Sequence, residues 1–136
     1  MKQALTQSAS LLLYERWLAH EILGDWYANL NQMPAAVDYW LSSQALAEEM
    51  GDSLTKINSL YTLGYGKYTL ALQKGGSNYS EGAALLKQFV AAAPIDHRKL
   101  VPAYFYLAEV HLTSSPTEAL DYFQEGLLAE SKKTLW

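Results

Sequence analysis

The chain has 136 residues and no cysteine. Disulfides, thiolate nucleophiles and zinc–thiolate sites are therefore excluded. Long apolar runs are also missing. The longest aliphatic stretch near the start, Leu11-Leu12-Leu13, falls far short of the roughly 20 residues that cross a bilayer. Tyr14-Glu15-Arg16 follows with no small-residue cleavage site, so the stretch makes a poor secretory signal. Basic charge is scarce: 10 Lys and Arg against 14 Asp and Glu leave a net charge of −4. A phosphate backbone demands a basic face. The only adjacent basic pairs are Arg98-Lys99 and Lys132-Lys133, so no nucleic-acid partner is expected. No segment alternates apolar and polar residues for long enough to suggest a strand. These absences fit a cytoplasmic chain with no membrane contact, no metal and no cofactor.

What is present is helical. Apolar residues make up 50% of the chain, at scattered positions, and the length is that of one domain able to bury a core. Leu12, Leu13, Trp17, Leu23 and Tyr27 recur at helical spacing and predict a first helix over 8–30. Residues 1–10 read as a polar lead-in. Asn31-Gln32 ends the first helix, and Pro34 opens a second that runs to 50, with Gly51 at the left-handed cap position. Asp52 or Ser53 caps a third helix reaching 73, and Lys74-Gly75-Gly76-Ser77-Asn78 is the plainest loop. Asn78 with Glu81 caps a fourth helix ending before Pro94. Asp96 is expected to cap a fifth, running to about 113. Ser115-Pro116-Thr117-Glu118 is a strong start signal for a sixth.

These helices pair in a pattern that occurs three times. Leu23-Gly24, Leu63-Gly64 and Leu107-Ala108 mark the middle of the first helix of each pair. Ala36, Gly82 and Ala119 stand near the start of the second, and Trp40, Leu86 and Phe123 follow four positions later. A glycine inside a helix costs roughly 1 kcal/mol relative to alanine. Its recurrence here is explained if it lets two helix backbones approach, with the larger residue filling the gap towards the next helix. Self-similarity at about 34–46 residues implies stacked units that cannot bury a core alone.

On these residues, over about 17–129, the chain resembles the tetratricopeptide repeat (TPR) family. The first copy fits without a gap from Leu23-Gly24 through Tyr27 to Ala36 and Trp40. The second has Lys67 where the family usually has an aromatic, and extra residues at Gly75-Gly76-Ser77-Asn78; the third has His111 and Ala108. The resemblance implies an all-α, right-handed superhelical solenoid of about six antiparallel helices. These form three helix-turn-helix repeats at about 17–52, 57–94 and 101–132, within one domain covering 1–136. It implies a concave face, lined by the first helix of each pair, that binds peptides or proteins.

Catalytic motifs are absent. His20-Glu21 begins like a metalloprotease helix, but the second histidine would fall at Gly24, and one histidine with one carboxylate cannot hold a catalytic zinc. His97 and His111 are placed on the fifth helix nearly four turns apart, too far to share a site. All three histidines are given surface or packing roles. Gly64-Tyr65-Gly66 lacks the lysine of a phosphate loop, and no serine has a histidine–carboxylate arrangement around it. No enzymatic activity is expected.

The candidate binding residues are those turned towards the groove: Leu18, Glu21, Asp25 and Asn29, then Asn58, Tyr61, Tyr65 and Tyr68, then Phe105 and Glu109. Tyr61, Tyr65 and Tyr68 form one helical stripe, either an aromatic interface or packing between repeats. Glu21, Asp25 and Glu109 are expected to be acidic groove residues, with Glu21 and Asp25 exposed and Lys67 the nearest opposing charge. The carboxylate-binding lysine–asparagine clamp of one class in the family is not matched, since Glu21 and Asp25 stand in its place. The expected partner is a peptide or protein with basic or aromatic and apolar residues.

Helix six carries Leu120, Tyr122, Phe123, Leu127 and Leu128 with nothing long enough after it to cover them. Residues 131–136 could at most fold back. Either the chain is cut from a longer array, which the terminal Trp136 also suggests, or a partner covers this end, with self-association through the C-terminal helix one route. The functional expectation is a protein-interaction adaptor or scaffold. The alternative is an escort chaperone for a secreted or assembly-prone subunit.

Overall fold

The computed structural model of the protein describes residues 2–75 and 78–135, with the backbone alone for 2–11 and 133–135. Six α-helices account for nearly all of it: α1 (Lys2–Asn29), α2 (Met33–Met50), α3 (Ser53–Gln73), α4 (Ser80–Ala92), α5 (Leu100–His111) and α6 (Pro116–Leu135). The expected start signals hold at several ends. Gly51 adopts a left-handed φ of 73° after α2, and Asp52 accepts from Thr55 N at 3.0 Å to cap α3. Asn31, at φ 59°, turns the chain between α1 and α2. The Asn78–Glu81 cap expected for α4 does not form: Tyr79 is the cap residue without a side-chain bond, Asn78 Oδ1 accepts from Ser80 N at 3.2 Å, and Glu81 pairs with Lys67. Gly76 and Ser77, in the loop read from the sequence, lie outside the described residues, as does Trp136.

Three boundaries differ from the sequence reading. α1 begins at Lys2, so the segment taken as a lead-in is helical. α6 continues to Leu135 and does not fold back. α5 begins only at Leu100. Residues 94–99 form turns instead, because the backbone closes short bonds from His97 N to Pro94 O and from Leu100 N to His97 O. Asp96 does not cap α5, whose cap residue Lys99 makes no side-chain cap bond; the His97 ring accepts from Lys99 N at 3.1 Å within the turn.

The helices pack as consecutive pairs, α1 with α2, α3 with α4 and α5 with α6; α2 on α3 and α4 on α5 join the pairs. The small residues lie where the pairs close. A Cβ on Gly24 would stand 2.2 Å from Trp40 Nε1, and one on Gly64 would stand 3.0 Å from Leu86. Gly82 is tighter in kind, with a Cβ 2.7 Å from the backbone N of Tyr68. In the third pair Ala108 and Ala119 are both buried. Trp40 also reaches the next pair: a Cβ on Gly66 of α3 would be 2.9 Å from its ring. One core gathers Trp40, Val37, Met33 and Leu63 across the first two pairs. Another gathers Tyr61, Leu86, Phe89, Ala103 and Leu107 across the last two. Burying these side chains is the main favourable contribution to the fold. Among the described residues no helix is long and apolar enough to cross a membrane.

Candidate functional site

Stacking the pairs leaves a groove of about 710 Å³ on the side of their first helices. α1 supplies Leu18, Glu21, Ile22, Asp25 and Asn29; α3 supplies Leu54, Asn58, Tyr61 and Tyr65; residues 97–99 and Tyr106 complete the wall. Seven of the ten binding residues named from the sequence are thus brought together: Leu18, Glu21, Asp25, Asn29, Asn58, Tyr61 and Tyr65. Tyr68, Phe105 and Glu109 do not line it.

Phe105 and Glu109 stand on α5 and Tyr68 on α3, and each is engaged elsewhere. Phe105 holds the same register relative to Ala108 that Glu21 and Tyr61 hold relative to Gly24 and Gly64, yet its ring packs on α6. It meets Phe123 with ring centroids 6.0 Å apart and closes over Gly126 of α6. Tyr106 takes the groove position instead, touching the Tyr65 and Tyr68 rings. Tyr68 is buried, and its hydroxyl donates to Glu109, joining α3 to α5. The tyrosine stripe is therefore largely packing. Tyr61 is 7% exposed, stacks on Tyr65 and tilts against Phe89, and presents little more than an edge to the groove.

The expectation that Glu21 is exposed is also overturned. Glu21 is 7% exposed. It accepts from Ser43 Oγ of α2 at 3.0 Å and from Thr62 Oγ1 of α3 at 3.2 Å. It occupies the place, three residues before the small residue, that Tyr61 and Phe105 hold in the other pairs. Burial disfavours the charged carboxylate and raises its pKa to about 7, against the two hydroxyl bonds, with Asp25 adding to the rise. Asp25 is exposed at the groove wall, as expected. Burial raises its pKa too, while Lys99, the Trp40 indole and Arg98 favour its ionised form. The Trp40 N–H itself is buried and has no acceptor at hydrogen-bond geometry.

The groove is not purely acidic. Arg98 and Lys99 line it, although the sequence reading placed no cation there. Lys99 Nζ sits 5.4 Å from the centre of the Tyr61 ring, a cation–π contact. Lys67, expected to be the nearest opposing charge, pairs instead with Glu81 at 3.1 Å. The turn that delivers these cations is held by His97, whose Nε2 is 2.7 Å from Asn58 Oδ1 and whose ring stands edge-on to Phe89. Burial, then Arg98, lowers the His97 pKa.

No family model matches the chain, and no curated protein or solved structure matches it significantly. The site therefore stands on its own geometry.

The groove has an apolar rim. Leu18 and Ile22 of α1 line it, and Trp26, one turn on, and Leu30, just past the end of α1, continue their four-residue spacing; all four are exposed, Trp26 by 60%. Leu54 at the start of α3 is exposed beside them in the groove lining. A second exposed set, Leu120, Leu127 and Leu128, lies on α6; Tyr122 and Phe123, grouped with them in the sequence reading, are partly buried. Among the described residues no three His, Asp or Glu side chains are placed to hold a metal ion. The other histidines pack: His111 stacks on Tyr122 and pairs with Glu118 at 3.3 Å, and His20 bonds back to Arg16 O.

Proposed function

We propose that the chain is a non-enzymatic protein-interaction module, an adaptor or scaffold of the tetratricopeptide kind. Its three helix pairs would belong to a right-handed superhelical stack, and its groove would hold a segment of a partner protein. One observation carries the reading. The first helices of successive pairs converge on a single groove lined by the exposed apolar side chains of Leu18, Ile22 and Leu54, and Trp26 is exposed one turn beyond them on α1. Monomeric proteins seldom leave such a patch uncovered unless it is used. Aromatic walls with apolar anchors at the rim suit a peptide, because large rigid side chains give contact area at low entropic cost. Nucleic acid and membrane are not the proposed partners.

The test is peptide selection on the immobilised protein, followed by affinity measurement on Ile22→Asp and Leu54→Asp. Both positions are exposed, so both variants should melt with the parent. Each is expected to weaken a selected peptide at least tenfold. Selected peptides that bind both variants as tightly as the parent would remove the groove from the account. The escort-chaperone alternative draws support from the uncovered leucines of α6 and would show itself as an obligate one-to-one complex.

A further inference from the structure

The charges of the groove are arranged in two poles. The carboxylates stand on α1, with Asp25 exposed and Glu21 buried one turn away. The cations stand opposite, on the turn between α4 and α5, where Arg98 and Lys99 precede α5. The two sides feel one another, since Lys99 and Arg98 both favour ionised Asp25. Yet they form no ion pair. The ion pairs among the described residues are Lys56–Glu48, Lys67–Glu81 and His111–Glu118, none of which is in the groove. Lys99 is held over the Tyr61 ring rather than on a carboxylate. Asp25 makes no ion pair, and the buried Trp40 indole N–H, which favours its ionised form, lies outside hydrogen-bond geometry. Charges of both signs that line one groove without pairing are the complement of a ligand that is itself dipolar.

We propose that the groove takes a segment of a partner protein that carries a Lys or Arg and an Asp or Glu within a few residues of each other, the basic side chain on Asp25 and the acidic one on Lys99 and Arg98. This deepens the reading of the groove as a peptide-binding surface and rests on it. The apolar rim supplies contact area, and the two poles fix direction and register. A purely basic segment would leave Lys99 and Arg98 facing its charge, and a purely acidic one would meet Asp25. Like charges brought together at an interface select against such partners.

The experiment uses four compositions of a synthetic twelve-residue peptide, seven sequences in all, with one shared Leu- and Phe-containing core. They carry Lys and Glu, Lys and Gln, Gln and Glu, or Gln and Gln at the same two positions, in both orders. Affinities are measured by fluorescence anisotropy against the parent, Asp25→Asn and Lys99→Met. The Lys–Glu peptide in one order is expected to bind about tenfold tighter than the Gln–Gln peptide, the scale of one well-placed charge contact. Asp25→Asn should abolish the advantage of Lys and leave that of Glu; Lys99→Met should do the reverse. Equal binding of all seven peptides, unaffected by either variant, would overturn the dipolar inference and leave the groove as an apolar peptide site. A preference for Lys alone, or for Glu alone, would also overturn it. Absence of binding by every peptide would reject the inference together with the peptide-groove reading.

Discussion

The indole N–H of Trp17 on α1 donates to Ser59 Oγ on α3 at 3.0 Å, with both side chains buried. One turn further along, Glu21 accepts from Thr62 on the same helix. The first helices of consecutive pairs are thus joined by directional bonds as well as by apolar packing through α2. Buried polar bonds are expensive to leave unmade. This seam therefore fixes how α1 lies against α3, and with it the width of the groove above.

The seam makes stability depend on pH. The Glu21 carboxyl has a native pKa of about 7 against an ordinary value of 4.5. The native state therefore holds a proton that the unfolded state releases across that window. The contribution is fully present below about pH 4.5 and is lost as pH rises through about 7. Its size is about 3 kcal/mol. Asp25, raised as well, adds a slope of the same sign. Glu21→Gln keeps an acceptor for Ser43 and cannot ionise. Urea melts from pH 5 to pH 8 should show the parent weakening with pH, and the variant losing most of that slope and exceeding the parent at pH 8. A variant with the parent's slope would remove Glu21 as its source. Glu21→Lys, which an exposed site would tolerate, is expected to unfold the protein.

The close approaches make a second prediction. Alanine is worth about 1 kcal/mol over glycine in a helix, so Gly24→Ala and Gly82→Ala would stabilise a solvent-facing helix. Here the new Cβ meets the Trp40 ring at 2.2 Å and the Tyr68 backbone at 2.7 Å. Both variants should lose about 1–3 kcal/mol by overpacking. Gly64→Leu, with its Cβ already 3.0 Å from Leu86, should lose at least as much. Thermal melts at or above that of the parent for the two alanine variants would contradict the pairing geometry.

The tyrosines separate core from surface. Tyr61→Ala removes a ring buried among Tyr65, Phe89 and Lys99 and should cost about 3–5 kcal/mol, as other aromatic truncations do. Tyr68→Phe keeps the ring and removes only the bond to Glu109, so it should cost about 1 kcal/mol. The paired comparison is read from urea midpoints. A stable Tyr61→Ala protein would return that ring to the binding surface.

The helix ends marked by Asp52, Gly51 and Pro116 were legible because capping chemistry is local. So were the small residues that close each pair, since Gly24, Gly64 and Gly82 have no other use in a helix. The turn at 94–99 was not legible. Asp96 reads as a cap, and only the tertiary contact of His97 with Asn58 shows why the chain delays α5 by one turn. That delay swings Arg98 and Lys99 into the groove. The burial of Glu21 was hidden because its partners, Ser43 and Thr62, lie on two other helices. Phe105 was misplaced by carrying the groove register of α1 and α3 onto α5, because only its contacts with Phe123 and Gly126 show that it packs on α6.

The most direct test of the central claim is the amide spectrum of the isotope-labelled protein, recorded as a selected peptide is titrated in. The account predicts shifts concentrated at Leu18, Ile22 and Asp25 on α1, at Leu54, Asn58 and Tyr65 on α3, and at Arg98 and Lys99. The exposed leucines of α6 should be unmoved. Shifts confined to α6, with the groove silent, would contradict it.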